Sequence, residues 1–186
     1  MKGDSSSREL SALIDEYGSC VLNTAYLYLN DRQLAEDVFQ EVFLKAYLKM
    51  DTFEARSSVK TWLIRITINQ CKDTIKSAYK SRVNVGFDRL DGGGCLICQS
   101  AEQAAEENYE NERLYMAVMS LEPKHRELIL LRYYNELSLD EIASILRISN
   151  GAVRTRLSRV TAVLRKIYDQ LDEQPVKKAA GGEVLL

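Results

Sequence analysis

The residues best suited to binding chemistry lie near the C-terminal end of the chain. Residues 149–168 hold five basic residues and no acidic residue. Val153, Leu157 and Val160 recur at the spacing of a helical face, which places the basic side chains on the outer face. Arginine can form two hydrogen bonds with guanine in the major groove, and a helix N-terminus favours phosphate. The segment therefore predicts a DNA-contacting helix whose outward residues are Arg154, Thr155, Arg156 and Arg159.

A second, shorter helix is predicted directly before this one. Ser138 and Glu141 have the spacing of a capping box, which marks a helix start. A tight turn at about Arg147 then separates the two helices, in the order of a helix-turn-helix motif. Arg147 stands where such turns most often carry glycine, so we expect a strained turn or a phosphate contact there. The alternative is an ordinary helical hairpin with a solvated basic face.

The charge of the chain is unevenly distributed although the net charge is only -2. Residues 60–82 hold six basic residues and one acidic residue, Asp73. Residues 84–112 hold seven acidic residues and one basic residue. Two basic segments on either side of an acidic one indicate two separate contacts with a polyanion. A solvated helix face is the alternative for either basic segment alone.

Apolar periodicity predicts an all-α protein of two small helical domains joined by a flexible linker. Three amphipathic helices, at about residues 10–29, 31–47 and 59–79, predict a small N-terminal bundle. On the third helix, Trp62 and Ile75 are expected to pack inward. Further helices are predicted at about residues 106–120, 124–134, 138–146 and 150–171. The predicted bounds are 8–82 for the first domain, 83–104 for the linker, 105–171 for the second domain and 172–186 for a disordered tail.

Composition excludes several classes of function. No apolar run approaches the ~20 residues of a membrane span, and the polar start does not resemble a signal peptide, so we expect a cytoplasmic protein. One histidine, no phosphate-binding glycine loop and no nucleophile elbow argue against an enzyme. Cys95 and Cys98 supply only two of four zinc ligands, so neither a metal nor a cofactor is expected, and a redox-sensing or metal-sharing linker is the alternative. Cys20 and Cys71 are expected to be small core residues.

Three segments, taken in order, resemble the sigma-70 family. Residues 35–47, AEDVFQEVFLKAY, are similar to the segment that docks on the polymerase. Residues 53–69, FEARSSVKTWLIRITIN, are similar to the promoter-opening loop and helix. The domain that recognises the upstream promoter element is matched by LEPKHR at 121–126, SLDEIA at 138–143 and VRTRL at 153–157. The short linker points to the extracytoplasmic-function (ECF) subfamily, which has only these two domains.

The resemblance implies a role for each group of residues. Core RNA polymerase, through the clamp helices of its largest subunit, would be bound by Asp37, Gln40, Glu41 and Lys45. The minus-ten element would be opened and held by Phe53, Lys60, Trp62, Arg65, Asn69, Lys72 and Lys76. The minus-thirty-five element would be contacted by Ser149, Asn150, Arg154, Thr155, Arg156 and Arg159. Ser149-Asn150-Gly151-Ala152 departs from the family's Pro-x-Gly-Thr, so promoter preference does not carry over.

The resemblance also implies partners and control. It predicts promoter-specific initiation for a stress or envelope-signal regulon, contact with the polymerase beta-subunit flap, and an anti-sigma factor that is often membrane-anchored. No small-molecule substrate is expected. Two other functions stay open at this point. A stand-alone helix-turn-helix regulator would bind operator DNA without polymerase, and a helical adaptor would bind protein alone.

Overall fold

The structure is a computed structural model that describes residues 2–50, 53, 57–83 and 104–172, with side chains from residue 8 onward, except those of residues 78–83 and 104–109. The described part is helical and contains no strand, which confirms the predicted all-α class. The helices are α1 (Lys2–Leu29), α2 (Arg32–Lys49), α3 (Val59–Val83), α4 (Ala104–Met119), α5 (Pro123–Ile129), α6 (Leu139–Leu146) and α7 (Asn150–Asp172). The predicted linker and tail, and with them Cys95 and Cys98, lie almost entirely outside the described residues.

Helices α1, α2 and α3 pack against one another as the predicted bundle. Between α1 and α2, Asn30 takes a left-handed backbone (φ 53°) and Asp31 caps α2, because its Oδ1 accepts the Leu34 N–H at 2.9 Å. Burial of apolar side chains then holds the helices together. The buried residues include Val21 and Ala25 of α1, Ala35, Val38, Val42 and Ala46 of α2, and Leu63, Ile64, Ile68 and Cys71 of α3.

The sequence prediction for the outer end of α3 was wrong. Ile75 continues the apolar stripe but is 42% exposed. Cys71 is the last buried side chain of α3 among those described, so Ile75 lies beyond the core that the stripe would have joined. Trp62 is half-buried and packs against the edge of the core.

Helices α4 to α7 form the second module around the predicted helix-turn-helix. Ser138 Oγ accepts the Glu141 N–H and Glu141 Oε2 accepts the Ser138 N–H at 2.9 Å, which confirms the capping box. Arg147 ends α6 in the left-handed region (φ 55°, ψ 46°), which agrees with the first of the two expectations, a strained turn. Ile142 and Ile145 of α6 are buried on the side that faces α7.

A π-helical turn at Leu130–Tyr134 replaces the second half of the single helix predicted for residues 124–134. The Asn135 N–H reaches back five residues to the Leu130 carbonyl at 2.9 Å, and its side-chain Nδ2 donates to the same oxygen at 3.0 Å. The wider turn brings Asn135, which is 1% exposed, into the interior. Such turns are rare and often occur at functional sites.

Candidate functional site

The outer face of α7 carries a row of exposed cations. Val153, Leu157 and Val160 are buried against the domain, so the side chains between them face solvent. Arg154, Arg156 and Arg159 are all exposed. Three guanidinium groups within two helical turns, on the second helix of a helix-turn-helix, have the chemistry and placement needed to contact base edges and phosphates.

The other residues predicted to contact the upstream element have bonds within their own domain. Ser149 Oγ accepts the Ala152 N–H at 3.2 Å and thereby caps α7. Asn150 Nδ2 donates to Asp140 Oδ1 at 2.6 Å, which ties α7 to α6. Thr155 Oγ1 donates to the Gly151 carbonyl at 3.0 Å. These three residues therefore position the helix, whereas the arginines present free charge to solvent.

Helix α3 carries the second group of predicted DNA contacts. Lys60, Arg65 and Lys72 are half-buried, while Asn69 and Lys76 are exposed. Lys76 lies 3.8 Å from Asp73 on the surface, an arrangement that water and salt screen strongly. The chain before α3 contributes Phe53, whose ring centroid lies 5.0 Å from that of Trp62. An aromatic pair at the start of a basic helix is suited to stacking against an unpaired base.

The acidic face of α2 is open to solvent. Asp37, Gln40 and Glu41 are exposed on the side away from the buried Val38 and Val42. Lys45, predicted to belong to the same face, is half-buried and donates a hydrogen bond to Gln70 of α3. Exposed Leu44 and Leu48 lie in the following turns of α2. The helix therefore offers an acidic and amide surface continued by apolar side chains, which fits a protein partner with arginines on a helix.

Several polar contacts between the two modules were not predicted from the sequence. Thr61 Oγ1 donates to Glu141 Oε1 at 2.5 Å, and Arg65 Nη2 donates to Ser144 Oγ at 2.8 Å. Lys72 Nζ lies 2.6 Å from Glu127 Oε1, an ion pair whose angles are not those of a hydrogen bond. Buried Asn135 accepts hydrogen bonds from Cys20 Sγ at 3.3 Å and Thr24 Oγ1 at 3.2 Å.

An apolar groove of about 560 Å³ also lies between the modules. Its walls come from α1, α4, the π turn and α7. The aromatic part of the lining consists of Tyr26, Tyr115, Tyr133 and Tyr134, and the aliphatic part includes Leu27 and Leu164. A groove of this shape is suited to an apolar side chain or to the face of an amphipathic helix.

The thiols of the described residues are held in their neutral form. Cys71 is fully buried, and burial raises its pKa to about 12. Burial also raises the pKa of Cys20, which is half-buried beside Asn135. Among the described residues, no group of three or more His, Cys, Asp or Glu side chains is arranged to hold a metal ion. Nor does any described helix combine the length and apolar character of a membrane span.

Comparison with known proteins places this geometry in a family. The Sigma-70 region 2 family matches residues 13–81, and the Sigma-70 region 4 family matches residues 111–162. The ECF RNA polymerase sigma factor SigW of Bacillus subtilis is 31% identical over 171 residues, covering 89% of this chain and 90% of SigW. SigM of the same species is 30% identical, covering 84% of this chain and 96% of SigM.

Solved structures show the same fold. Sigma factor RpoE from Bartonella quintana, solved in complex with the anti-sigma factor NepR, has a TM-score of 0.73 at 20% identity, covering 87% of this chain and 98% of that one. CnrH, solved with the cytosolic domain of CnrY, has a TM-score of 0.63 at 23% identity, covering 88% and 90%.

A helix-turn-helix module joined to a basic three-helix bundle defines a DNA-binding transcription protein. The matches to both sigma-70 regions and to SigW along nearly its whole length show that the chain belongs to the ECF sigma factors. Like the rest of that family, it binds core RNA polymerase and directs transcription initiation at particular promoters. A stand-alone operator-binding regulator is not favoured, because SigW and SigM are sigma factors and their similarity to this chain extends over nearly their whole length.

Proposed function

We propose a division of labour among the helices of this sigma factor. The acidic face of α2 (Asp37, Gln40 and Glu41) binds the clamp helices of the polymerase. Helix α3, with Phe53, opens and holds the minus-ten element, and α7 contacts the minus-thirty-five element. Residues 8–82 would therefore carry the first two tasks and residues 105–171 the third, with the beta-subunit flap as a further contact. The observation that carries the proposal is that the cations lie on α3 and α7, one in each module, while the exposed acidic face lies on α2.

The α2 assignment rests on charge and exposure. A solvent-exposed acidic face gains little from contacts within its own chain, so its residue types are free to suit a partner. Lys45 contributes indirectly, because its hydrogen bond to Gln70 fixes α2 against α3.

The α3 assignment rests on the combination of cations and aromatic rings. Holding a base outside the stack needs a stacking surface, hydrogen-bonding groups and cations for the strand. Phe53 and Trp62 supply the rings, exposed Asn69 supplies an amide, and Lys60, Arg65, Lys72 and Lys76 supply the cations. Phosphate contacts of this kind give affinity without sequence preference.

The remaining parts of the proposal concern location, control and mode of action. We place the protein in the cytoplasm, where core polymerase works, and take it to act by binding and not by catalysis, without a cofactor. Its regulon would answer a stress or envelope signal. Control by an anti-sigma factor is supported by the apolar groove between the modules, which would accept an amphipathic helix.

Reconstituted transcription tests the proposal. Core polymerase and the purified protein are incubated with a library of genomic fragments, and transcript 5′ ends are sequenced. We expect starts at defined sites that share two upstream sequence elements. The function would be refuted if no template gave a transcript, or if the same start sites appeared in the absence of the protein.

The polymerase-binding face is tested by the triple variant Asp37→Asn, Gln40→Ala, Glu41→Gln. All three side chains are exposed, so the fold should be retained while affinity for core polymerase falls by roughly tenfold or more. The matched control, Glu110→Gln with Glu112→Gln, removes two exposed acids from α4 and should bind core normally. Equal affinity of the triple variant and the control would reject this role for α2.

A further inference from the structure

The junction between α6 and α7 holds a side-chain amide whose orientation is fixed by a carboxylate. Asn150 is the first residue of α7, and its Nδ2 donates to Oδ1 of Asp140, in the first turn of α6, at 2.6 Å. An ionised carboxylate only accepts hydrogen bonds, so the nitrogen of the amide must face Asp140 and the oxygen cannot take its place. The bond therefore removes the choice between two orientations that an unpaired asparagine amide has.

The rest of this amide is open to a partner. Its Nδ2 carries two hydrogens, of which Asp140 engages one, and no other residue in the described part of the chain is bonded to the Asn150 side chain. Asn150 is only half-buried, and the next residue, Gly151, is exposed and has open space around it. An acceptor and a donor thus lie side by side, uncovered, at the start of the helix.

An acceptor beside a donor is the pattern that complements adenine in the major groove. Adenine presents N7 as an acceptor and its N6 amino group as a donor, and an asparagine can bond to both. Guanine presents two acceptors there, so it would leave the Asn150 oxygen unpaired and would be repelled by the charge of Asp140. The N-terminal residues of a recognition helix are the ones that contact base edges, which is where Asn150 lies.

We propose that Asn150, held by Asp140, selects adenine in the minus-thirty-five element. The inference rests on the proposed role of α7 and adds to it a residue that determines sequence preference. Asp140 is a positioning residue, because it acts through Asn150. The arginines of α7 favour guanine, so the amide supplies a preference that they do not have.

The helix also indicates where this adenine lies. Asn150 and Arg154 are four residues apart, so they share one face of α7, with Cβ atoms about 5–6 Å apart. Successive base pairs are stacked about 3.4 Å apart. We therefore expect the adenine within about two base pairs of the base that Arg154 contacts.

Exchanging the two side chains tests the proposal. Asp140→Asn combined with Asn150→Asp keeps a bond of the same kind, because the amide nitrogen at position 140 can donate to the carboxylate at position 150. The group that faces the DNA would then be an acceptor only, and such a group pairs with the N4 amino group of cytosine. Holoenzyme is assayed on a promoter found by reconstituted transcription, with all four bases placed in turn at each position of the minus-thirty-five element.

We expect wild type to favour adenine by roughly tenfold at one position, close to the position whose preference is lost in Arg154→Ala. In the exchanged protein the preference at the adenine position should change to cytosine, and the other positions should keep theirs. Asn150→Ala should lose the preference at the adenine position alone. The control, Asp169→Asn, removes an exposed carboxylate near the other end of α7 and should keep every wild-type preference.

A bond that only holds α6 and α7 together would give wild type, Asn150→Ala and the exchanged protein the same base preferences, and that result would overturn the inference. So would an adenine preference that persists in the exchanged protein. Thermal denaturation shows whether each variant is folded, and Asn150→Ala decides the question alone if the exchanged protein is not. If no change in the upstream element affects wild-type transcription, it is the proposed role of α7 that fails.

Discussion

Single side chains in this protein serve both the local fold and the contact between modules, and Glu141 is the clearest case. Its Oε2 accepts the Ser138 N–H in the capping box, while its Oε1 accepts the Thr61 hydroxyl of the other module. The hydrogen bond from Thr61 is the main cause that lowers the pKa of Glu141, and the bonds from Ser138 and the charge of Lys60 act in the same direction.

We predict that Glu141 contributes to a loss of the free energy of unfolding as the pH falls into the acid range. A carboxyl whose folded-state pKa is lowered adds stability above its ordinary pKa of 4.5, and that stability is lost as the pH falls through the lowered value. Between pH 7 and pH 3.5, wild type should therefore lose more free energy of unfolding than Glu141→Gln, as measured by urea denaturation. Thr61→Val keeps the capping box and should lose an intermediate amount. Parallel pH profiles for all three proteins would contradict this account.

At the residue scale the sequence predicted what depends on neighbours along the chain. The capping box at Ser138 was predicted correctly, because it is determined by residues within one turn of helix. The prediction that Ile75 packs inward was wrong, because the burial of Ile75 depends on where the core ends, and no local pattern contains that information.

At the scale of elements, α7 combines two kinds of residue with different tasks. Ser149, Asn150 and Thr155 are bonded within the domain and position the helix, while the arginines project outward. Sequence alone could not separate these groups, since all six residues lie near the same helix start. The π turn was missed for a related reason. It changes the hydrogen-bond spacing over a few residues of a helix whose apolar pattern gives no sign of the change.

We predict that the arginines of α7 differ in their tolerance of lysine. Replacing an arginine that binds guanine by alanine should weaken binding to the minus-thirty-five element by about 1–3 kcal/mol, and lysine should not restore it, because the planar two-donor geometry is lost. An arginine that binds only phosphate should be largely rescued by lysine. Fluorescence anisotropy of holoenzyme on promoter DNA measures this for Arg154, Arg156 and Arg159, with Arg165→Ala, further along α7, as the control. Full affinity of all three alanine variants would exclude α7 as the recognition helix.

At the scale of the whole molecule, the arrangement of the two modules is what the sequence could not predict. The number of helices and their order follow from periodicity, and the family resemblance assigns each module its task. The contacts that join the modules link residues 55 to 115 positions apart, such as Lys72 with Glu127 and Cys20 with Asn135. No pattern within either module marks these residues as partners.

The buried position of Asn135 gives a last prediction for the whole molecule. Asn135→Asp keeps the side-chain volume but places a carboxylate in the buried contact between the modules, where its desolvation is costly. Separation of the modules would let water hydrate the carboxylate. We expect the variant to open, so that the radius of gyration from small-angle X-ray scattering rises by several ångströms above that of wild type, for which a compact chain of this length gives about 16 Å. Gln33→Glu adds the same charge at an exposed site on α2 and should scatter as wild type does. Because Asn135 also bonds to Leu130, circular dichroism must show that the helices are kept. An Asn135→Asp protein with native helix content and a wild-type radius would mean that the apolar surfaces and the remaining polar contacts hold the modules together without Asn135.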